Sequence, residues 1–407
     1  MIIAKKVRLL PTDEQEQQLW KSAGTARFVY NWTLDKQIHR MKATGKLNKI
    51  KDTDLRRDLT QLKQTEAYGW LRDVSNNVAK QAVKDACSAL DRFHSESKKH
   101  GYKYRTKAIK SGKELDFTDF ESFPRFKCRK RAKTSFYHDT EKLKVYSNCV
   151  HLEKIGKVAL AEHNRIPTET NYTNPRITHD GKYWYISVGV EQTIEKPELT
   201  GETIGIDLGI AKLATVSSLA KPIENINKTA EVQRLKKKLK RKQRQVSRKY
   251  EKNKISTGKA GENRYKFTKT KNTEKLEKET RLIHRRLSNI RLNHIHQATT
   301  MIVKTKPSRI VVEDLNVRGM MKNRHLSKAI AEQCFSMFVV ILTYKCALYG
   351  IELVEADRFY PSSKKCSSCG EIKKDLKLKE RIFNCPKCSF TLDRDKNASI
   401  NLAEYIA

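Results

Sequence analysis

Two pairs of cysteines close to the end of the chain constrain its folding more than any other feature. They read Cys366-Ser-Ser-Cys369 and, fifteen residues later, Cys385-Pro-Lys-Cys388. Two Cys-x-x-Cys turns around a short loop can place four thiolates at the corners of a tetrahedron. This segment is therefore expected to close around one structural Zn²⁺ held by Cys366, Cys369, Cys385 and Cys388. Four thiolates leave no open coordination position, so that ion is not expected to be catalytic. Almost at once comes Asp393-Arg-Asp395-Lys-Asn397-Ala-Ser-Ile-Asn401. It puts carboxylates at the start of a short amphipathic helix, where a divalent cation could be held.

Charge narrows the class of partner. The 407 residues include 84 Lys+Arg against 46 Asp+Glu, a formal charge of +38. Such a charge repels itself in a lone compact body and is most easily neutralised by a polyanion, above all nucleic acid. No secretory signal is expected, because Lys5, Lys6 and Arg8 interrupt the first apolar run. The longest apolar run, at 335–342, suits a core helix, and no membrane association is expected. Cys87, Cys128, Cys149, Cys334 and Cys346 are scattered without a disulfide framework. That usage fits a reducing, intracellular compartment.

The chain alternates at 1–10, as a strand does, and turns helical from Thr12, with Leu19, Trp20 and Ala23 on one face. Helical spacing returns at 74–93 through Val78, Ala82, Ala86, Leu90 and Phe93. Residues 12–105 read as a small helical domain. The stretch 106–135 is basic and poor in aliphatics, with Phe123-Pro124-Arg125-Phe126-Lys127 at its centre. Short strands are expected at 144–146, 150–152, 158–160, 176–179 and 183–190, the last two joined by an Asp180-Gly181 turn. This segment reads as a small β-barrel joined by the N-terminal strand. A third unit opens at Thr203-Ile-Gly205-Ile-Asp207-Leu-Gly209, an apolar strand ending in a carboxylate. An antiparallel partner is expected at 212–217, then two basic helices at 229–252 and 273–304 paired as a hairpin. Arg309-Ile-Val-Val-Glu313 is another apolar strand with an acidic end. A helix at 326–349 and a strand at 351–355 precede the cysteines.

Asp207, Glu313 and Asp395 share a logic. Two end apolar strands and the third starts a helix. The order strand, hairpin, helices, strand, helix, strand, helix is that of an RNase H-like fold, in which the first and fourth strands lie side by side. Clustered carboxylates repel one another unless cations intervene. Two Mg²⁺ would relieve that repulsion and support phosphodiester hydrolysis, with Mn²⁺ able to substitute.

Together these residues resemble the TnpB family of transposon-encoded RNA-guided DNA nucleases, compact relatives of type V CRISPR effectors. The matching pieces are Gly205-Ile-Asp207-Leu-Gly209, Val311-Val-Glu313-Asp-Leu-Asn, Tyr360-Pro-Ser-Ser-Lys-Lys-Cys366-Ser-Ser-Cys369-Gly, Arg381-Ile-Phe-Asn-Cys385-Pro-Lys-Cys388 and Asp393-Arg-Asp395-Lys-Asn397-Ala. Ala26-Arg-Phe-Val-Tyr-Asn31 and the segment around Phe123 also look like that family. The resemblance implies a multidomain α+β chain. A helical recognition domain (12–105) would be followed by a β-barrel wedge domain (1–11 with 106–200). A RuvC-like nuclease domain (201–359 with 392–407) would carry an inserted zinc ribbon (360–391). It implies a catalytic set of Asp207, Glu313 and Asp395, with Arg381 helping to hold the scissile strand. It also implies a guide RNA and target DNA as partners and a cytoplasmic, nucleoid-associated prokaryotic setting; a monomer on RNA is expected, with an oligomer left open. Two departures are visible: Ser399 where the family more usually has Ala, and Ala331-Glu-Gln-Cys-Phe-Ser without the Asp and Trp expected there.

Two stretches are candidates for nucleic-acid contact. Phe123, Arg125, Phe126, Lys127, Arg129, Lys130 and Arg131 interleave rings with charges, a pattern able to stack on bases and meet phosphates. Asn76, Lys80, Gln81 and Lys84 share a polar helix face suited to reading base edges beside the target. Two other readings stay open: a nuclease-inactive RNA-guided DNA-binding repressor, and a DNA-strand transposase acting without guide RNA.

Overall fold

Val7 and Leu9 alternate with Lys6 and Arg8 along β1 (Ile2–Leu10), so one face of this strand enters a core and the other does not. The computed structural model describes residues 1–44, 49–100, 117–120, 122–129, 133–256, 265–377 and 379–406. It separates into two compact units, Met1–Thr193 and Ile194–Ala407. Of the expected helical and basic segments, 101–116 and 130–132, including Lys130 and Arg131, lie outside the described residues. So does 257–264 of the polar linker.

In the first unit, Thr12 caps α1 (Asp13–Thr44) reciprocally with Gln15. Gln15 N donates to Thr12 Oγ1 at 3.3 Å, and Thr12 N donates to Gln15 Oε1 at 3.1 Å. Two more helices follow, α2 (Asp52–Leu62) and α3 (Asn76–His100). The strands are β2 (Thr134–Tyr137), β3 (Lys144–Val145), β4 (Cys149–Leu152), β5 (Gly156–Leu160), β6 (Tyr172–His179) and β7 (Trp184–Glu191). They form an antiparallel sheet ordered β2-β6-β7-β1-β5-β4-β3, which the N-terminal strand joins as expected. Gly181 has φ +95° in the β6–β7 turn, a conformation an L side chain resists. The expected closed barrel is not found: among the described residues β2 and β3 are edge strands without a ladder between them. Val7, Ile186 and Val188 share one core with Leu19 and Val29 of α1 and with Val78 and Ala82 of α3.

The second unit holds β8 (Thr200–Leu208), β9 (Ala214–Val216), α4 (Ala230–Lys252), β10 (Lys254–Ser256), β11 (Tyr265–Phe267), α5 (Lys271–Val303) and β12 (Pro307–Glu313). Then come α6 (Val317–Met320), α7 (Ser327–Gln333), α8 (Phe335–Tyr349), β13 (Glu352–Ala356), β14 (Ile382–Asn384), β15 (Thr391–Asp393) and α9 (Arg394–Ala403). Its main sheet is ordered β13-β12-β8-β9. β12 runs parallel to both neighbours, and β9 is antiparallel to β8. One sheet face packs Ile204, Ile206, Ile310 and Val312 against Ile295 and Ile302 of α5 and Phe338 and Leu342 of α8. Each such side chain, fully buried, stabilises by roughly 1.5–3 kcal/mol. The other face packs Val311 and Ala356 against Leu402 of α9. Val232, Ile283 and Leu287 join α4 to α5 as a hairpin.

The helix expected at 326–349 is broken. Cys334 takes φ 56°, which ends α7 and starts α8. The stretch Ser327–Tyr349 is nonetheless long and apolar enough to cross a membrane by length and composition, which the sequence reading did not anticipate. Its buried face lies in the core just described. Lys345 on it donates to His296 O at 2.7 Å, Thr299 Oγ1 at 2.7 Å and Thr300 Oγ1 at 2.6 Å, and burial lowers its pKa to about 8.

Candidate active site and metal centre

Two carboxylates meet because the β8–β12 ladder is parallel and in register. The pairing runs through Ile206 and Val312, so Asp207 and Glu313 come next, side by side at the carboxyl ends of their strands. Ile206 and Val312 face the α5–α8 core, and side chains alternate along a strand. Asp207 and Glu313 therefore point to the opposite face, where α9 lies. The crevice beyond the carboxyl ends of parallel strands is a common place for a site.

Gly205 explains how the third carboxylate arrives. A Cβ at this position would lie 2.0 Å from Ser399 O, 2.4 Å from Ala403 N and 2.8 Å from Leu402 Cβ. Only glycine lets the α9 backbone come this close to the strand. Asp395 sits about one helical turn before Ser399, so the same contact carries it toward Asp207. Asp393 caps α9: its side chain accepts from Asp395 N and Lys396 N, both at 3.0 Å. The Asp395 carboxylate is left for other work.

The electrostatics agree. The carboxyl of Asp207 is pushed well above the usual carboxylate range, first by burial and then by the negative charges of Glu313 and Asp395. Burial raises Glu313 as well, opposed by Ser362, whose Oγ donates to Glu313 Oε1 at 2.5 Å. Arg394 Nη2 and Arg381 Nη1 lie 3.6 and 3.9 Å from Asp395 Oδ1. Half-buried, mutually repelling oxygen donors suit a hard divalent cation such as Mg²⁺ or Mn²⁺.

The cysteines gather as their spacing requires. Cys366 Sγ lies 3.7 Å from Cys388 Sγ, and Cys369 Sγ 3.5 Å from Cys385 Sγ. Among the described residues they form the one group of at least three possible ligands whose donor atoms all lie within 4.8 Å of one another. Zinc–sulfur bonds of about 2.3 Å imply similar sulfur separations in a tetrahedron, so the donor set fits such an ion. Hydrogen bonding from the backbone N–H of Cys388 leads the effects that hold the Cys385 thiol down to about 6. Phe383, fully buried beside Cys366 and Cys385, gives the module only a small core.

This module is built into α9. Asn397 and Asn401 lie one turn apart and are fully buried. Asn397 accepts from Ser367 N at 3.0 Å and donates to Lys365 O at 2.7 Å. Asn401 donates to Ser362 O at 2.7 Å and Lys365 O at 2.6 Å. On the other side, β14 pairs with β15, and Arg394 N donates to Arg381 O at 2.8 Å. Asp395 is thus held between the two cysteine turns. The Cys385→Ser protein should lose its metal, and Asp395 should lose its mooring. Metal analysis of the unsubstituted protein should find near one equivalent of zinc per chain; less than half would count against the assignment.

Sequence reasoning missed several supporting residues. Ser362 was quoted only as a neighbour of the first cysteine turn. Lys396 Nζ donates to Ser217 O at 2.6 Å and Leu219 O at 2.9 Å, tying α9 to the end of β9. Gln333 Nε2 donates to Gly209 O at 2.8 Å and Ile210 O at 3.1 Å, fixing the turn after Asp207. It lies in the stretch that departs from the TnpB pattern, so only the departure itself marked it.

The nucleic-acid candidates fare unevenly. Phe123 is buried against Phe93 in a core cluster, with ring centroids 5.2 Å apart, and cannot stack on a base. Its apolar partners, distant in sequence, overrode the pattern of rings among charges. Lys127 is half-buried with Nζ 3.7 Å over the Tyr30 ring, and Asn31 clasps its backbone at 2.7 and 2.9 Å. Arg125, Phe126 and Arg129 are exposed. Asn76, Lys80 and Lys84 are exposed at four-residue spacing on α3. Gln81 turns aside to Asp85 at 2.9 Å, and Asp85 is paired with Arg176 at 2.6 Å.

Fold and cysteine cluster place the chain among multidomain α+β proteins similar to the Cas12 effectors. Residues 1–46 match a family model described as a helix-turn-helix domain, 185–324 a probable transposase, and 335–402 a Cas12f1-like TNB domain. A Streptomyces pristinaespiralis protein named "Putative RNA-guided DNA endonuclease" is 29% identical over 401 residues, covering 98% of this chain and 88% of its own. InsQ of Escherichia coli K12, named likewise, is 26% identical over 417 residues, covering 98% and 91%. The cryo-EM structure of a Cas12f1–sgRNA–target DNA complex superposes with a TM-score of 0.57 at 13% identity, covering 95% of this chain and 82% of that one. These matches bear out the resemblance to the TnpB family.

Proposed function

We propose that this protein is an RNA-guided DNA endonuclease. It binds a transposon-derived guide RNA, recognises a short motif beside the target and cuts DNA by metal-dependent hydrolysis. The gathering of Asp207, Glu313 and Asp395 at one sheet edge carries this reading. A four-stranded sheet with the two acidic strands adjacent and parallel is the arrangement expected of a RuvC-like, RNase H-like domain at 201–359 and 392–407. The relatives' names and the nucleic acids in the Cas12f1 complex support RNA and DNA as partners.

Asp207, Glu313 and Asp395 would hold two Mg²⁺, which when bound supply an activated water and stabilise the leaving oxygen. The chain's own residues do the positioning. Ser362 fixes the rotamer of Glu313. Gln333 and Lys396 brace the segments flanking Asp207. Arg381, largely exposed, is free to meet a phosphate oxygen of the scissile strand. The cysteine module, as a zinc ribbon, keeps Arg381 and Asp395 in one frame. The first unit serves as the recognition and wedge region for the RNA and its DNA hybrid. The test is reconstitution: protein with its co-purifying RNA should cut matched DNA in Mg²⁺, and RNA-free protein should not. Cutting without RNA would favour the transposase reading instead.

Motif reading falls to the exposed face of α3. An unopened duplex cannot be read by pairing, so side chains must reach base edges. Replacing Asn76 and Lys80 by Ala is expected to change which adjacent sequences permit cutting, measured on a randomised library. Unchanged preference with intact affinity would remove this face from the site.

A further inference from the structure

Phe359 is 87% exposed, about twice as much as Tyr265, Phe267 and Tyr344, the other exposed Phe and Tyr side chains described in the second unit. Its position is not arbitrary. β13 ends at Ala356, which pairs in register with Glu313. The chain then turns over the same sheet edge that carries the acidic residues. Ser362, three residues beyond Phe359, hydrogen-bonds Glu313. Three residues span at most about 11 Å of extended chain, the reach of a few nucleotides. The neighbours fix the turn. Phe359 N donates to Asp357 Oδ1 at 2.8 Å, and Tyr360 N donates to Asp357 O at 3.0 Å. Arg358 is anchored to Asp314, next to Glu313. Tyr360 packs on Tyr405 and donates its hydroxyl to Asn401 O at 3.0 Å. The loop is thus held on both sides of Phe359, and the ring alone projects.

A ring projecting from a braced loop beside an acidic cluster and the exposed Arg381 matches the pairing of aromatic platform and cationic groove that unpaired strands require. We propose that Phe359 is a positioning residue on which an unpaired base of the scissile strand stacks, setting which phosphate reaches the acidic site. This rests on the nuclease reading above. Burying a planar base on an otherwise solvated ring adds apolar contact without sequence demand, because every base has a π-face.

The test uses the guide-loaded protein in Mg²⁺ and matched single-stranded DNA. One substrate series carries a single abasic position moved stepwise past the cut. Phe359→Ala is expected to lower kcat/KM about tenfold, within the range of one lost base stack, and to blur the cut position. Phe359→Trp should retain both rate and position. For the parent, one abasic position should cost about as much as the alanine change. In the Phe359→Ala protein that same position should cost nothing more, a non-additive pair. Zinc content and melting temperature, unchanged in both variants, show that the fold is intact. Equal rates and cut positions for parent and Phe359→Ala, or losses that simply add, would overturn the stacking role while leaving the nuclease reading in place. A parent that cuts no DNA under any loading would instead sink the nuclease reading, and this inference with it.

Discussion

The Asp207→Ala protein is expected to bind guide and target as before and to cut almost nothing, a loss of roughly a thousandfold or more. Asp207 is the carboxylate most pressed by its neighbours, Glu313 and Asp395. On the proposed function, removing it would take away a negative ligand where cations are to be held, so metal occupancy and water activation would fail together. Binding should survive, because on that reading pairing and phosphate contacts are made by other residues. Asp207→Asn separates charge from shape. Without divalent ions the folded state holds a proton on Asp207 more tightly than the unfolded chain does. Its contribution to stability therefore falls as pH rises through the ordinary carboxylate range toward the raised folded value. The Asn variant should lose that pH dependence, melt somewhat higher at neutral pH without metal, and gain less than the parent from added Mg²⁺. Cutting by Asp207→Ala at the parent's rate would show that this cluster is not the active site.

Gly205→Val should be nearly as damaging without touching a charged group. Its Cβ would meet backbone atoms Ser399 O and Ala403 N at 2.0 and 2.4 Å, and backbone cannot swing aside as a flexible side chain can. Either α9 lifts from β8 or the strand bends away. Overpacking of this kind costs about 1–3 kcal/mol or more, and it displaces Asp395 as well. A lowered melting temperature with cutting lost beyond what the unfolded fraction explains is the expected result. Gly201→Val is the control, since nothing lies within 4 Å of that position. Normal cutting by Gly205→Val would mean that close packing of α9 is not what places Asp395.

Much of this was legible because it obeys short periods. Cysteine spacing is local, and so are the acidic ends of two apolar strands and the Asp180-Gly181 turn. What escaped depends on partners far along the chain. Phe123 looked like a surface ring among charges until Phe93, thirty residues earlier, covered it. Asn397 and Asn401 read as ordinary helix residues, yet they satisfy backbone groups of a loop thirty or more residues earlier. The break at Cys334 has no glycine or proline to announce it. The barrel expectation failed on a single pairing: alternation shows that strands exist, but not whether the two edges meet.

Because α9 follows the rest of the second unit, a ribosome must pass residue 395 and release several more turns before Asp207 has its third neighbour. Until then the growing chain can form much of the sheet with Asp207 and Glu313 alone. On the proposed function, a nascent chain would remain without a complete set of carboxylates until α9 docks against Gly205.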